Sequence, residues 1–178
     1  MVFFGCKNQS EYTKVLKREL ENKKQFNDLI FDIKIGQSRQ DYFDICYQLN
    51  KQKKITSGQR SLNPELILES KNNSKKGGNI KMSFNGIFNK KKIMRGFEMR
   101  FYFTGWSDWN KDLSSGTLLL QLKDTLKGWF PGNEFFKVNF ENNLSAEVKI
   151  DGNRRILVYV VNSKDVAVRI EDMSGKYD

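Results

Sequence analysis

The sequence predicts an α+β protein in which helices pack on an antiparallel sheet. Three observations carry the prediction. Helix-like and strand-like segments alternate in blocks: helices, strands, one helix, strands. Each half thus sets one or two helices before a meander, as in a layered α+β architecture. Within Gly96–Phe103, Phe97, Met99, Phe101 and Phe103 alternate with Glu98, Arg100 and Tyr102, the period-2 signature of a strand with one buried face. Beyond residue 135, four β-rich segments are separated by tight-turn signals. A chain of 178 residues is long enough for one domain with its own core. We read residues 1–9 as a tether and 10–178 as a single domain in two halves, about 10–104 and 105–178. The Gly96 strand is the expected centre of the sheet and the joint between the halves.

The first half opens with a helix expected over Ser10 to about Asp28. Ser10 is a candidate N-cap, and Tyr12, Val15, Leu16 and Leu20 form one narrow apolar stripe. Leu29–Ile35 reads as a short extended run. Gly36-Gln-Ser-Arg-Gln-Asp41 is a helix start, with Ser38 and Asp41 spaced as a capping box. Tyr42, Ile45, Cys46 and Leu49 mark the buried face of that helix, where Cys46 serves as a small hydrophobe. Lys51–Asn79 is the least ordered stretch, with a short strand at Leu66–Leu68. Ile80, Met82 and Phe84 alternate as a strand, and Asn85-Gly86 is a turn signal. Lys90-Lys-Lys92 then lengthens the connection to the Gly96 strand.

In the second half, Gly105-Trp-Ser-Asp-Trp-Asn110 hands the chain to a helix over Ser115–Trp129, ended by Gly128 and Pro131-Gly132. Gly105 is expected to need a backbone only glycine tolerates. At least one of Trp106 and Trp109 is expected in the core, at the seam between helix and sheet. Strands follow at 136–140, 144–150, 156–161 and 166–170. Asp151-Gly152 and Asn162–Asp165 supply the turns. Adjacent Arg154 and Arg155 read as a solvated edge or, on the other reading, an anion or partner contact.

The net charge of +10 is not evenly spread: residues 51–100 carry 13 Lys/Arg against 3 Asp/Glu. The excess therefore sits in one segment, where Lys75, Lys76, Lys90, Lys91 and Lys92 are candidate anion contacts. Such a segment fits an anionic surface, an acidic partner or nucleic acid. On the nucleic-acid reading, Lys51, Lys53 and Lys54 join them on phosphates, in a cytoplasmic module. No stretch approaches the roughly 18–20 apolar residues of a membrane-spanning helix.

The chain contains no histidine. Ser-His-Asp and Cys-His nucleophile systems are therefore excluded, and a zinc site would rest on carboxylates alone. No phosphate-binding G-x-x-x-x-G-K-S/T loop is present. We expect no catalytic residues, no metal and no cofactor. Asp108 and Asp112 read as capping residues at a helix start. Tyr102, Trp106 and Trp109 are the candidate aromatic platform for a partner.

Met1-Val-Phe-Phe-Gly-Cys6, followed at once by polar Lys-Asn-Gln-Ser, resembles the end of a bacterial lipoprotein signal peptide, with Cys6 as the lipid attachment residue and the signal truncated at Met1. The segments Ile35–Cys46, Gly105–Asn110 and Val148–Ile156 resemble an uncharacterised family of Bacteroidota-type lipoproteins. That resemblance implies a location and no activity: a lipid-anchored, envelope-facing protein, in the periplasm or at the surface. The element order is also similar in outline to the β-lactamase-inhibitor-protein-like fold. The expectation is a non-enzymatic binding or scaffold module whose partner is an envelope protein or anionic surface.

Overall fold

The computed structural model describes residues 10–58, 63–69, 78–140 and 145–177. It is an α+β structure dominated by one antiparallel sheet. The elements are α1 (Glu11–Glu21), α2 (Arg39–Lys51), β1 (Thr56–Ser57), β2 (Pro64–Leu68), β3 (Ile80–Phe88), β4 (Met94–Phe103), a 3₁₀ turn (Lys111–Leu113), α3 (Ser115–Trp129), β5 (Phe136–Asn139), β6 (Ser145–Asp151), β7 (Arg154–Val160) and β8 (Val166–Asp172). The strand order is β1-β2-β3-β4-β8-β7-β6-β5. Two meanders meet where β4 pairs antiparallel with β8. The aromatic strand that begins near Gly96 is therefore one of the two central strands.

The sheet's two faces differ, and the register shows how. Phe84 pairs with Met99 and Met82 with Phe101, while Phe97 pairs with Ile170 and Met99 with Val168. Val158 and Ile156 continue that face on β7. These side chains are buried together with Tyr42 and Leu49 of α2 and Leu118, Leu122 and Leu126 of α3. Each such apolar side chain contributes about 1.5–3 kcal/mol when taken fully out of water. On the opposite face, Ala146, Val148 and Ile150 of β6 meet Tyr12, Val15 and Leu16 of α1. So α2 and α3 share one face, and α1 covers only the β5–β7 end of the other.

Local chemistry explains the helix limits. Ser38 Oγ accepts from the Asp41 amide at 3.1 Å and Asp41 Oδ2 accepts from the Ser38 amide at 3.0 Å, closing the expected capping box. Ser114 caps α3 in the same way, through the Thr117 amide. α1 stops well before Asp28: Asn22 caps it, and Lys23 takes a left-handed backbone (φ 53°). Leu29–Ile35 is not a strand either. Asp28 bridges to Lys34 around Phe31 and Asp32, both left-handed, and Ile33 is drawn fully inside.

Asn85-Gly86 is not a turn but the middle of β3. A Cβ on Gly86 would lie 2.6 Å from both Met94 Cε and the Phe88 ring, so the glycine serves side-chain packing. The turn sits at Asn89–Lys92 instead, where Asn89 Oδ1 accepts from the Ile93 amide at 2.9 Å and Lys92 adopts φ 62°.

Candidate functional site

The part of the sheet that α1 leaves uncovered is the candidate site. By register, one face carries Glu65 and Ile67 from β2, and Lys81, Ser83 and Asn85 from β3. Glu98, Arg100 and Tyr102 continue it on β4, and Arg169 and Glu171 on β8. Where α1 lies, the same face is apolar; where no described helix lies, it is polar. The polar alternate positions of β3 and β4 follow from the period of the strand, since their partners fill the core. A depression of about 320 Å³ opens among Asn63, Ser83, Asn85, Glu98 and Arg100. Arg100 and Asn85 are exposed.

Around this opening the charges are organised rather than scattered. Lys81 Nζ lies 2.6 Å from Glu65 Oε2, and this hydrogen bond holds the amine above the usual lysine range against partial desolvation. Tyr102 contacts Lys81 from β4, and its ring lies under Lys164 Nζ, 4.1 Å from the ring centre. Lys164 also stands 5.6 Å from the Trp106 ring. Trp106 Nε1 donates to the Ser163 carbonyl at 3.2 Å. Tyr102, Trp106 and the β7–β8 turn thus form one rim of the open face.

The Trp joint differs from expectation. Trp109 is 85% exposed, so it is not a core residue. Trp106 is half-buried and packs against the main core. Gly105 does not take a positive φ; among the described residues the glycines that do are Gly36, Gly132, Gly152 and Gly175. The stretch 104–110 turns through successive short bends, with the Trp106 amide on the Phe103 carbonyl and the Asn110 amide on the Ser107 carbonyl. No single residue has to take the whole reversal.

Arg154 and Arg155 are not a solvated edge. Arg154 is 4% exposed. Its guanidinium lies between the Phe26 and Phe130 rings, at 5.3 and 4.8 Å, and donates to Asp151 Oδ2 at 3.2 Å and to the Asp28 carbonyl. Burial lowers its pKa, and Asp151 opposes that shift. Arg155, on the opposite face, bridges Tyr12 of α1 and Glu171 of β8. Desolvation pushes Glu171 up, but hydrogen bonds and charge from Arg155 and Arg169 prevail and hold it below the usual carboxylate range.

Sequence reasoning missed a buried polar knot at the β6–β7 tip. Lys149 is fully buried; its Nζ donates to Asp151 Oδ1 at 2.8 Å and to the Asn133 carbonyl at 2.6 Å. Asp151 Oδ1 also accepts from the Asn133 amide at 2.8 Å. Asn153 ties the tip to the α1–α2 connection, accepting from the Phe26 amide at 2.6 Å and donating to Asn27 and Asp172. Glu19 accepts from the Gly152 amide. Gly152, at φ 53°, lets the tip press against the Lys24 carbonyl, which a Cβ would meet at 2.3 Å. Local sequence carried no signal for it: Lys149 alternates with Ala146, Val148 and Ile150 and so reads as an outward position, although it pairs with Ile156 on the face of the main core.

The lysines separate into groups. Lys91 and Lys92 line a depression of about 490 Å³ with Ser38, Arg39, Gln40 and Phe43, at the start of α2. Lys90 is exposed beside them. Lys51, Lys53 and Lys54 sit at the other end of α2. Lys75, Lys76 and Cys6 lie outside the described residues. Cys46 is half-buried on α2, where burial pushes its thiol up and the Tyr42 contact only partly offsets it. No helix among the described residues is long and apolar enough to cross a membrane, and no cluster of three metal-ligating side chains occurs among them.

No family model matches the chain, and no curated protein matches it. Among solved structures it is similar to a DUF4309 family protein (YjgB) from Bacillus subtilis. That likeness has 13% identity and a TM-score of 0.35, over 90% of this chain and 94% of the other. It is too distant to carry a function across.

Proposed function

We propose that this chain is a non-enzymatic binding module that engages a partner through the open polar face of its sheet, and that it works at the cell envelope, anchored by a lipid on Cys6. The observation that carries the reading is the asymmetry of one face: α1 seals its β5–β7 end, while Ser83, Asn85, Glu98, Arg100 and Tyr102 stay open beside it. Among the described residues Glu98 and Arg100 have no ion-pair partner, so both can serve a ligand. By contrast, the buried charges Lys149, Asp151 and Arg154 are already committed to one another and lack an opening. They read as structural. A flat face with dispersed hydrogen-bonding groups suits a protein surface better than a small molecule.

The resemblance to Bacteroidota-type lipoproteins supports the location, since Cys6 lies only four residues before the α1 cap. The two helix-then-meander halves support the β-lactamase-inhibitor-protein-like outline, in which helix-first repeats lay helices on an antiparallel sheet. The cytoplasmic nucleic-acid reading is disfavoured by geometry: the described lysines of 51–100 are split, with Lys51, Lys53 and Lys54 at one end of α2, Lys90, Lys91 and Lys92 at the other, roughly 20 Å away for a 13-residue helix, and Lys81 on β3 paired with Glu65.

The experiment is a chromosomal replacement of Glu98→Lys with Arg100→Glu, beside a deletion strain. The expected result is a protein of normal abundance and stability that behaves as the deletion does. Wild-type behaviour of the double variant would reject the open face as the working surface. The anchor is tested separately, by labelled palmitate incorporation into the natural gene product that is lost with Cys6→Ser.

A further inference from the structure

The outer side of α2 carries a row that the fold does not use. Arg39, Phe43, Tyr47 and Lys51 follow one another at i, i+4, i+8 and i+12, and all four are exposed. Successive residues four apart lie on one inclined ridge of a helix. The inward face of the same helix is already satisfied by Tyr42 and Leu49. Phe43 and Tyr47, at 47% and 67% exposure, are therefore presented outward rather than left over from the core. Both ends of the row are basic. Arg39 lies over the Phe43 ring at 5.2 Å, and Lys91 and Lys92 stand beside it around the 490 Å³ depression. Lys51 and Lys53 close the other end. Two acidic residues of α2 lie nearby, Asp41 hydrogen-bonded to Ser38 and Asp44 to Gln40, and the basic groups Arg39, Lys51, Lys53, Lys91 and Lys92 outnumber them.

We propose that this α2 row docks on an anionic lipid bilayer. Phe43 and Tyr47 enter the interface between headgroups and acyl chains, and Arg39, Lys91, Lys92 and Lys51 take lipid phosphates. Outward aromatics framed by Lys and Arg are the composition of a helix that lies in the membrane interface. Basic side chains supply the attraction to anionic headgroups. A base-stacking role fits less well, because the Arg39 guanidinium already occupies a face of Phe43. The surface lies on the opposite side of the sheet from α1 and the open face. The inference concerns a different contact from the proposed partner site and stands whether or not Cys6 carries a lipid.

The test uses the full chain with Cys6→Ser, so that no acyl chain contributes. Sedimentation with vesicles of phosphatidylcholine containing 30% phosphatidylglycerol is compared with pure phosphatidylcholine vesicles. The expected result is binding to the anionic vesicles only, weakened by salt. Arg39→Gln with Lys91→Gln and Lys92→Asn should weaken it roughly 100-fold, from three basic groups near the surface. Asn is chosen at 92 because it tolerates the left-handed backbone there. Phe43→Ser with Tyr47→Ser should also reduce binding while leaving all charges in place. All of these side chains are exposed, and a circular dichroism melt confirms that each variant is folded. Equal binding to both vesicle types, no binding to either, or anionic binding untouched by the two variant sets would each overturn the proposal. So would a row-dependent affinity for single-stranded DNA in the absence of vesicle binding.

Discussion

Asp151→Asn should be among the most damaging single changes in the protein. Asp151 is 2% exposed and its carboxylate is shared by two buried cations, Lys149 and Arg154. The amide replaces it without loss of volume, so the effect isolates charge. The amide keeps one acceptor oxygen where the carboxylate has two, so one of Lys149 and Arg154 loses its acceptor and meets an N–H donor instead, and neither is matched by a negative charge; besides that oxygen Lys149 has the Asn133 carbonyl, and Arg154 the Asp28 carbonyl and two ring faces. Leaving buried charge uncompensated costs about 3–5 kcal/mol. Lys149→Met should cost less, about 1–3 kcal/mol, because Asp151 keeps Arg154 and the Asn133 amide. With a urea slope near 2 kcal/mol per M, Asp151→Asn lowers the unfolding midpoint by about 1.5–2.5 M. Urea unfolding followed by far-UV circular dichroism reads this directly. A loss below about 1 kcal/mol for Asp151→Asn, or a larger loss for Lys149→Met, would show that the knot does not depend on the shared carboxylate.

Two further outcomes follow from the same geometry. Glu171 is held below its ordinary pKa of 4.5 in the folded state. Its stabilisation is therefore present above that value and is lost as pH falls through the folded pKa. The stability gap between wild type and Glu171→Gln should be full near pH 7 and shrink below about pH 4.5, and a gap independent of pH would contradict the ion pair with Arg155. Trp109→Ala should change stability by no more than about 0.5 kcal/mol, whereas Trp106→Ala should lose about 1–2 kcal/mol with its hydrogen bond and part of its packing. Acrylamide should quench Trp109 freely in a chain that retains it as the sole tryptophan, and a protected Trp109 would place the joint differently.

Much of this fold could be read before any coordinates. Ser38 with Asp41 is a local signal that sets a helix start; at α3 the start near Ser115 was legible, but the cap is Ser114 and not Asp108 or Asp112. The alternation through Phe97–Phe103 and the β-branched segments after Phe136 marked strands, because a strand between a core and water must repeat with period 2. The polar alternates Glu98, Arg100 and Tyr102 were visible too, and they line the open face. What failed was non-local. Arg154 is covered by Phe26 and Phe130, far away in the chain, so two adjacent arginines after a hairpin looked exposed. Asn85-Gly86 carried a turn signature, yet Gly86 answers to Phe88 and Met94. The Ser10–Asp28 helix was drawn too long because the charged run after Glu21 has no strong breaker, while packing of Lys24 and Phe26 on the β6–β7 tip pulls the chain out of the helix.

The central claim is that the open polar face, not the helical side of the sheet, meets the partner. Site-specific photo-crosslinking in the native cell tests it most directly. A photoreactive phenylalanine analogue is placed at Arg100 or Asn85 on the open face, and at Leu120, which is exposed on α3 across the sheet. The account predicts a discrete adduct of one size from positions 100 and 85 and none from 120. An adduct from 120 alone, or no adduct from either open-face position, would contradict it.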